Sequence, residues 1–192
     1  MQPLQRDYTC EYGIEFHSRY LADILRHDFV IGANVWNYND FHSERRLDGV
    51  PRINNKGLVD VAREKKDVYY LHSAAYHQTP YLKIGGESWK NRGGATESGV
   101  CRQIVHVFSN AKSVELRHNG KSLGAKEVVN FVAEFEVPFV DGKNCFEAVA
   151  KSDITIIGCS GCTHELFDHS AIRQTEPADN IMQETCVTVT WI

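Results

Sequence analysis

The period of the apolar residues changes once along this chain, and that change limits what it can fold into. Before residue 85 the apolar positions recur at helical spacing: Tyr8, Tyr12, Phe16, Tyr20 and Ile24, flanked by Leu21 and Leu25, predict an amphipathic helix over 8–26. A second helix is expected over about 65–78, with Val68, Leu71 and Ala75 on its buried side, joined by Tyr69 and Tyr76, and Pro80 just beyond its end. A Gly-rich connector follows, Gly85-Gly86-Glu87-Ser88-Trp89 and Arg92-Gly93-Gly94-Ala95. No helix pattern comes after it, so it reads as a linker over 85–99 and not as a phosphate cradle.

Beyond the connector the period is two. Strands are expected at 101–109 and 113–117, with a return from Lys121 after the type I′ signal Asn119-Gly120. Further strands are expected at 129–137, ended by Pro138, and at 144–150. Short strands with regular turn signals predict a small β-sandwich. After Ser152 the pattern thins. Ile154–Ile157 reads as a strand, 164–180 as loop or short helix, and Cys186–Trp191 as a strand at a sheet edge.

Between the two helices lies Phe29 to Leu58, FVIGANVWNYNDFHSERRLDGVPRINNKGL. The run Phe29–Val35 is apolar on both faces, as a parallel strand covered on both sides would be. Past it come Trp36, Asn37, Asp40, Asn54, Asn55 and Lys56. An indole face packs on the C–H face of a sugar ring, while amides, carboxylates and an ammonium bind hydroxyls and acids.

The runs GANVWNYNDF and GVPRINNKGLVD resemble the last barrel strand and active-site loop of glycoside hydrolase family 2, which includes β-galactosidases and β-glucuronidases. FSNAKSVELRHNGKSLGAK resembles the immunoglobulin-like module that follows the barrel in bacterial members. The resemblance implies a mixed fold. Residues 1–84 would be the α-β-α end of a (β/α)8 barrel (helix 7, strand 8, helix 8), and 100–192 an immunoglobulin-like β-sandwich whose end is open after about 152. It implies a parent that hydrolyses a β-glycoside with retention, β-galactosidase-like, without a cofactor. The parent would be homo-oligomeric and periplasmic or secreted.

A closed barrel needs eight strands, and the sequence offers one. The two catalytic carboxylates are therefore expected outside this chain, which alone should be inactive. Glu11, in the run Cys10-Glu11-Tyr12-Gly13, resembles the family nucleophile. The residues before it do not form an apolar strand, however, and the helical stripe runs through it unbroken, so it is read as a surface residue. Trp36, Asn37, Asp40, Asn54 and Lys56 are the candidate substrate-binding residues. Asp40 serves either hydroxyls or the loop itself. Asn54 and Lys56 form an N-x-K pattern that in β-glucuronidases contacts the substrate carboxylate, which gives an alternative, uronate-reading parent. A third reading is a non-catalytic carbohydrate-binding or assembly module centred on 95–192, which dependence of sugar binding on Trp89 or Trp191 would indicate.

Composition excludes other classes. A net charge of −4 does not suit a nucleic-acid binder. The one basic cluster, Ala62 to Lys66 (AREKK), includes a Glu and reads as a solvated helix start. No apolar run nears the ~18 residues of a membrane span, and the first residues show no signal-peptide core. The six cysteines are scattered and expected to be mostly buried free thiols. Cys159, Cys162, His164 and His169 have the residue types of a zinc site, but one CxxC with no matching second pair does not make one, and no metal is expected.

Overall fold

A computed structural model describes residues 9–45, 51–89, 91–92, 100–151, 155–159 and 184–189. Its contacts divide the chain into a helical unit, 1–76, and a β unit, 77–192.

In the helical unit, α1 spans Cys10–Arg26. The Thr9 hydroxyl oxygen accepts from the Tyr12 N–H at 3.2 Å and caps the first turn. Glu11 in the first turn and Arg26 in the last complement the helix dipole. α1 packs on α2, Asp67–Tyr76, and Gly13 lets them approach: a Cβ there would lie 3.3 Å from Val68 Cγ1. The buried residues are Ile14 and Leu21 on α1, and Val68, Leu71, His72 and Ala74 on α2.

This corrects the expected stripe. Tyr12, Phe16, Tyr20 and Leu25 are exposed, and the Phe16 and Tyr20 rings meet at a tilt of 31° with centroids 4.4 Å apart. One helical neighbour covers one face, and α2 takes the face through Gly13, Ile14, His17 and Leu21. The i,i+4 aromatic row therefore stays in water.

The strand expected at 29–35 is also not formed. Among the described residues nothing pairs with it, and Phe29 and Ile31 are 80% and 104% exposed. A strand exists through the backbone of its neighbours, and this stretch finds none. Pairing begins only at Asn39, which bridges Val59 in parallel. From there the loop turns through β1, Phe41–His42, antiparallel to β2, Ile53–Asn54.

The β unit contains β3 (Leu82–Ile84), β4 (Asn91–Arg92), β5 (Cys101–Ser109), β6 (Ser113–His118), β7 (Lys121–Glu127), β8 (Val132–Phe139), β9 (Gly142–Lys151), β10 (Thr155–Cys159) and β11 (Glu184–Val189). One sheet runs β3-β5-β8 and the other β4-β11-β9-β6-β7, with β10 and β11 sharing the second edge of β9. Inward residues of both sheets build one core, including Val105, Val107, Phe135 and Val137 from the first and Val114, Leu116, Phe146 and Ala148 from the second. The period of two is visible in β8, where Ala133, Phe135, Val137 and Phe139 are buried and Glu134 and Glu136 exposed.

Asn119 and Gly120 sit at φ 48° and 76°, as a type I′ turn requires. A second such turn explains why β8 starts at Val132 and not at 129: Asn130 and Phe131 have φ 50° and 70°, and Val129 and Val132 hydrogen-bond across them. Pro138, expected to end the strand, lies inside it. β8 is the outer strand of its sheet, where a missing N–H breaks no ladder.

The Gly-rich connector is partly woven into the sheets: Gly85 N–H donates to the His106 carbonyl at 2.8 Å, and β4 pairs with β11 in parallel. β11 lies between β4 and β9, not at an edge. The segment 164–180 and the residues Cys162, His164, His169 and Trp191 lie outside the described residues. Cys101 is buried, Cys145 half-buried and Cys10 exposed, each a free thiol.

Candidate functional site

The loop after Trp36 is built around one buried carboxylate. Asp40 Oδ1 accepts from the Gly57 N–H at 2.7 Å, and its two oxygens lie 2.9 and 3.1 Å from Lys66 Nζ. Lys66 also donates to the Asn55 carbonyl at 2.8 Å. Backbone bonds close the rest: Asp40 N–H to the Val59 carbonyl at 2.9 Å, Val59 N–H to Tyr38 at 3.0 Å, and Leu58 N–H to Asn37 at 3.2 Å. Gly57 is required here, because a Cβ would lie 2.3 Å from Asp40 N and 2.5 Å from the Val59 carbonyl oxygen.

This frame borders a cavity of about 400 Å³ within the helical unit. Tyr12 and Phe16 of α1 and Trp36 give it aromatic walls; Lys56, Lys66, His17 and Asn55 give it polar ones. Among the described residues, Asp67 is the one carboxylate that lines it.

Of the residues singled out from sequence, the structure brings Trp36 and Lys56 to this cavity. Trp36 is 71% exposed, and the peptide joining it to Asn37 is cis. Asn37 turns inward: its amide nitrogen donates to the Asn39 carbonyl, and its Oδ1 is buried without a partner among the described residues. Asp40 supports the loop. Asn54 is 2% exposed, and its Oδ1 accepts from the Lys56 N–H at 3.3 Å, so it shapes the turn that carries Lys56. Glu11 is exposed in the first turn of α1 and is not among the cavity-lining residues.

Lys66 was not legible as a site residue. It comes from the cluster read as solvated, yet its side chain is only 21% exposed and ion-paired with Asp40. No spacing rule links positions 26 apart in a loop. Tyr12, Phe16 and His17 were missed because they carry a helix pattern, and a helix pattern says nothing about which face lines a cavity.

Two histidines back the site. His72 Nε2 and His17 Nδ1 lie 3.0 Å apart across the helix pair. Burial, helped by His17, pushes the His72 pKa down to about 4. Burial first, then the Lys66 charge, lowers that of His17. Cys10 is exposed as a residue, yet lost hydration at its thiol raises its pKa, opposed by Lys66. Among the described residues no group of three or more His, Cys, Asp or Glu could hold a metal ion, and no helix is long and apolar enough to cross a membrane.

A putative β-glucuronidase of Formosa agariphila is 32% identical over 152 residues, 76% of this chain and 18% of its own length. The β-galactosidase BoGH2A of Bacteroides ovatus is 31% identical over 129 residues, 66% of this chain and 14% of its own. The chain is of the glycoside hydrolase family 2 type. Among solved structures, a Bacteroides uniformis β-glucuronidase superposes with a TM-score of 0.78 and 28% identity, covering all of this chain and 20% of that one. This family 2 chain thus spans a fifth or less of the length of these relatives. A domain family described as a domain of unknown function (DUF4982) matches residues 103–155, within the sandwich. The likeness supports a mixed, sheet-rich fold with two helices, found within a larger glycosidase.

Proposed function

We propose that this chain is the C-terminal portion of a retaining family 2 β-glycosidase, and that it supplies part of the sugar-binding surface but not the catalytic carboxylates. The observation that carries this is the meeting of Trp36 and Lys56 at one cavity. Cleavage with retention takes two carboxyls roughly 5 Å apart, one protonating the leaving oxygen and the other attacking the anomeric carbon. With Asp67 as the single carboxylate among the described residues that line the cavity, that pair would come from elsewhere in the parent. On this reading α1, residues 29–35 and α2 correspond to helix 7, strand 8 and helix 8 of the parent's (β/α)8 barrel, and the sandwich is the immunoglobulin-like module behind it. Supporting it are the apolar faces of 29–35 and of the α1 aromatic row, which lie uncovered; barrel neighbours would bury them.

For the substrate, a β-galactoside is the general reading. The position of Lys56 favours a second, a β-glucuronide, whose carboxylate an ammonium would neutralise. Two of the relatives are named as β-glucuronidases and one as a β-galactosidase, so relatives alone do not decide it. Titrating the chain with D-glucuronate and D-galactose tests both. Trp36→Ala should weaken both sugars by roughly tenfold, the scale of one aromatic contact; Lys56→Met should weaken glucuronate alone. Loss of binding in Trp89→Ala, with Trp36→Ala silent, would move the sugar site to the sandwich and end this proposal. Nitrophenyl glycosides should not be turned over by this chain. Turnover that vanishes in Glu11→Gln would make Glu11 the nucleophile after all.

A further inference from the structure

Lys66 holds a place that sugar binding does not use. An ammonium has three protons. Those of Lys66 face three acceptors, the two Asp40 oxygens at 2.9 and 3.1 Å and the Asn55 carbonyl at 2.8 Å. Although Lys66 lines the cavity, its ammonium is engaged by the loop itself. The loop is held at three consecutive positions, two of them by Lys66 or its partner Asp40 and the middle one by Asn54. Asn55 is tied through its carbonyl to Lys66, Lys56 through its N–H to Asn54 Oδ1 at 3.3 Å, and Gly57 through its N–H to Asp40 Oδ1 at 2.7 Å. The pair is shielded, with the Asp40 side chain 9% and the Lys66 side chain 21% exposed. Removing one charge strands the other in a poorly hydrated site.

We propose that Lys66 is a positioning residue: by clasping Asp40 and the Asn55 carbonyl it fixes the backbone of residues 55–57, and so fixes where the Lys56 ammonium meets the ligand. The proposal rests on the reading of Lys56 as a ligand-contacting residue. A loop free to move would spread that ammonium over many positions, and fixing it only on binding costs affinity. The clasp removes that cost in advance. Its effect should therefore fall on ligands that need the ammonium.

The test uses the full chain with Lys66→Met, Lys66→Arg and Lys56→Met. Amide hydrogen exchange is read at residues 55–57, and binding is measured with D-glucuronate and D-galactose. Lys66→Met should speed exchange at Lys56 and Gly57 by about tenfold or more, the scale of one charge-assisted hydrogen bond. It should weaken glucuronate by a similar factor and leave galactose within about twofold. Lys66→Arg should restore both readouts toward the starting protein. The amides of β5–β9 should not change. Unaltered exchange at 55–57 in Lys66→Met overturns the proposal, and so does equal weakening of the two sugars. If Lys66→Met loses the helix protection of α1 and α2, Asp40→Asn replaces it. That variant removes the charge yet keeps an acceptor for Gly57, so its readout is binding, and equal weakening of the two sugars is again fatal. Lys56→Met separates the two readings: if it leaves glucuronate binding intact, the ligand role of Lys56 fails, while the exchange at 55–57 still decides the clasp.

Discussion

The helical unit and the β unit draw on similar residues and end in different states. In the β unit Val107, Val114, Phe135, Leu116 and Phe146 close on one another from two sheets, and little of their surface meets water. In the helical unit Tyr12, Phe16, Tyr20, Phe29, Ile31 and Trp36 lie exposed, although the unit also buries Ile14, Leu21, Val68 and Leu71. Contiguous exposed apolar surface of this kind marks a place where something else belongs. Burial of apolar side chains is the main favourable term in folding, so one region closes its own core and the other does not. Sequence hydrophobicity alone does not separate them; the number of neighbouring elements does.

The largest effect expected from this contrast is in the sandwich core. Phe135→Ala should cost about 3–5 kcal/mol in the unfolding of the β unit, because a fully buried ring leaves a cavity. Urea titration followed by the β-unit signal would show it. A cost under about 1 kcal/mol would mean that this core is loosely packed.

Next is a pH effect confined to the helical unit. His72 has a folded pKa of about 4 against 6.5 when unfolded. The unfolded chain thus binds the proton more readily, and the stability is present above pH 6.5 and lost as pH falls toward 4. The helical unit should lose on the order of 3 kcal/mol across that window. Unfolding of α1 and α2 followed against pH would check it, and His72→Gln should flatten the dependence. An equal loss in the β unit would show that the effect is not the histidine pair.

Smaller again is the hairpin turn: Gly120→Ala puts a side chain at φ 76° and should cost about 1 kcal/mol. Smallest is Ile31→Ser. At full exposure it should change stability by no more than about 0.5 kcal/mol, while reducing self-association seen by light scattering. A large destabilisation there would mean that Ile31 is packed after all.

The sandwich was readable from the sequence because each of its signals is local. Alternation in β8 and the Asn119-Gly120 pair each specify their own geometry without reference to distant residues. Where reading failed, the cause was non-local. Phe29–Val35 has the residues of a buried strand, but whether it becomes one depends on backbone supplied by other segments. The aromatic row of α1 looked like its buried face, but α2 approached the face that Gly13 left open. Asp40 could be read either as a ligand group or as a loop support until Lys66, far along the chain, was seen to pair with it. Trp36 and Lys56, named for residue types suited to sugars, both reach the cavity, whereas the buried Asn54 accepts from the Lys56 N–H.

The central claim is that the β unit completes its own core and the helical unit does not. Native-state hydrogen exchange on the whole chain measures this directly, since protection reports the free energy of local opening. The account predicts strong protection of the amides of β5, β6, β8 and β9 and far weaker protection throughout α1 and α2. Equal protection of the two units would contradict it.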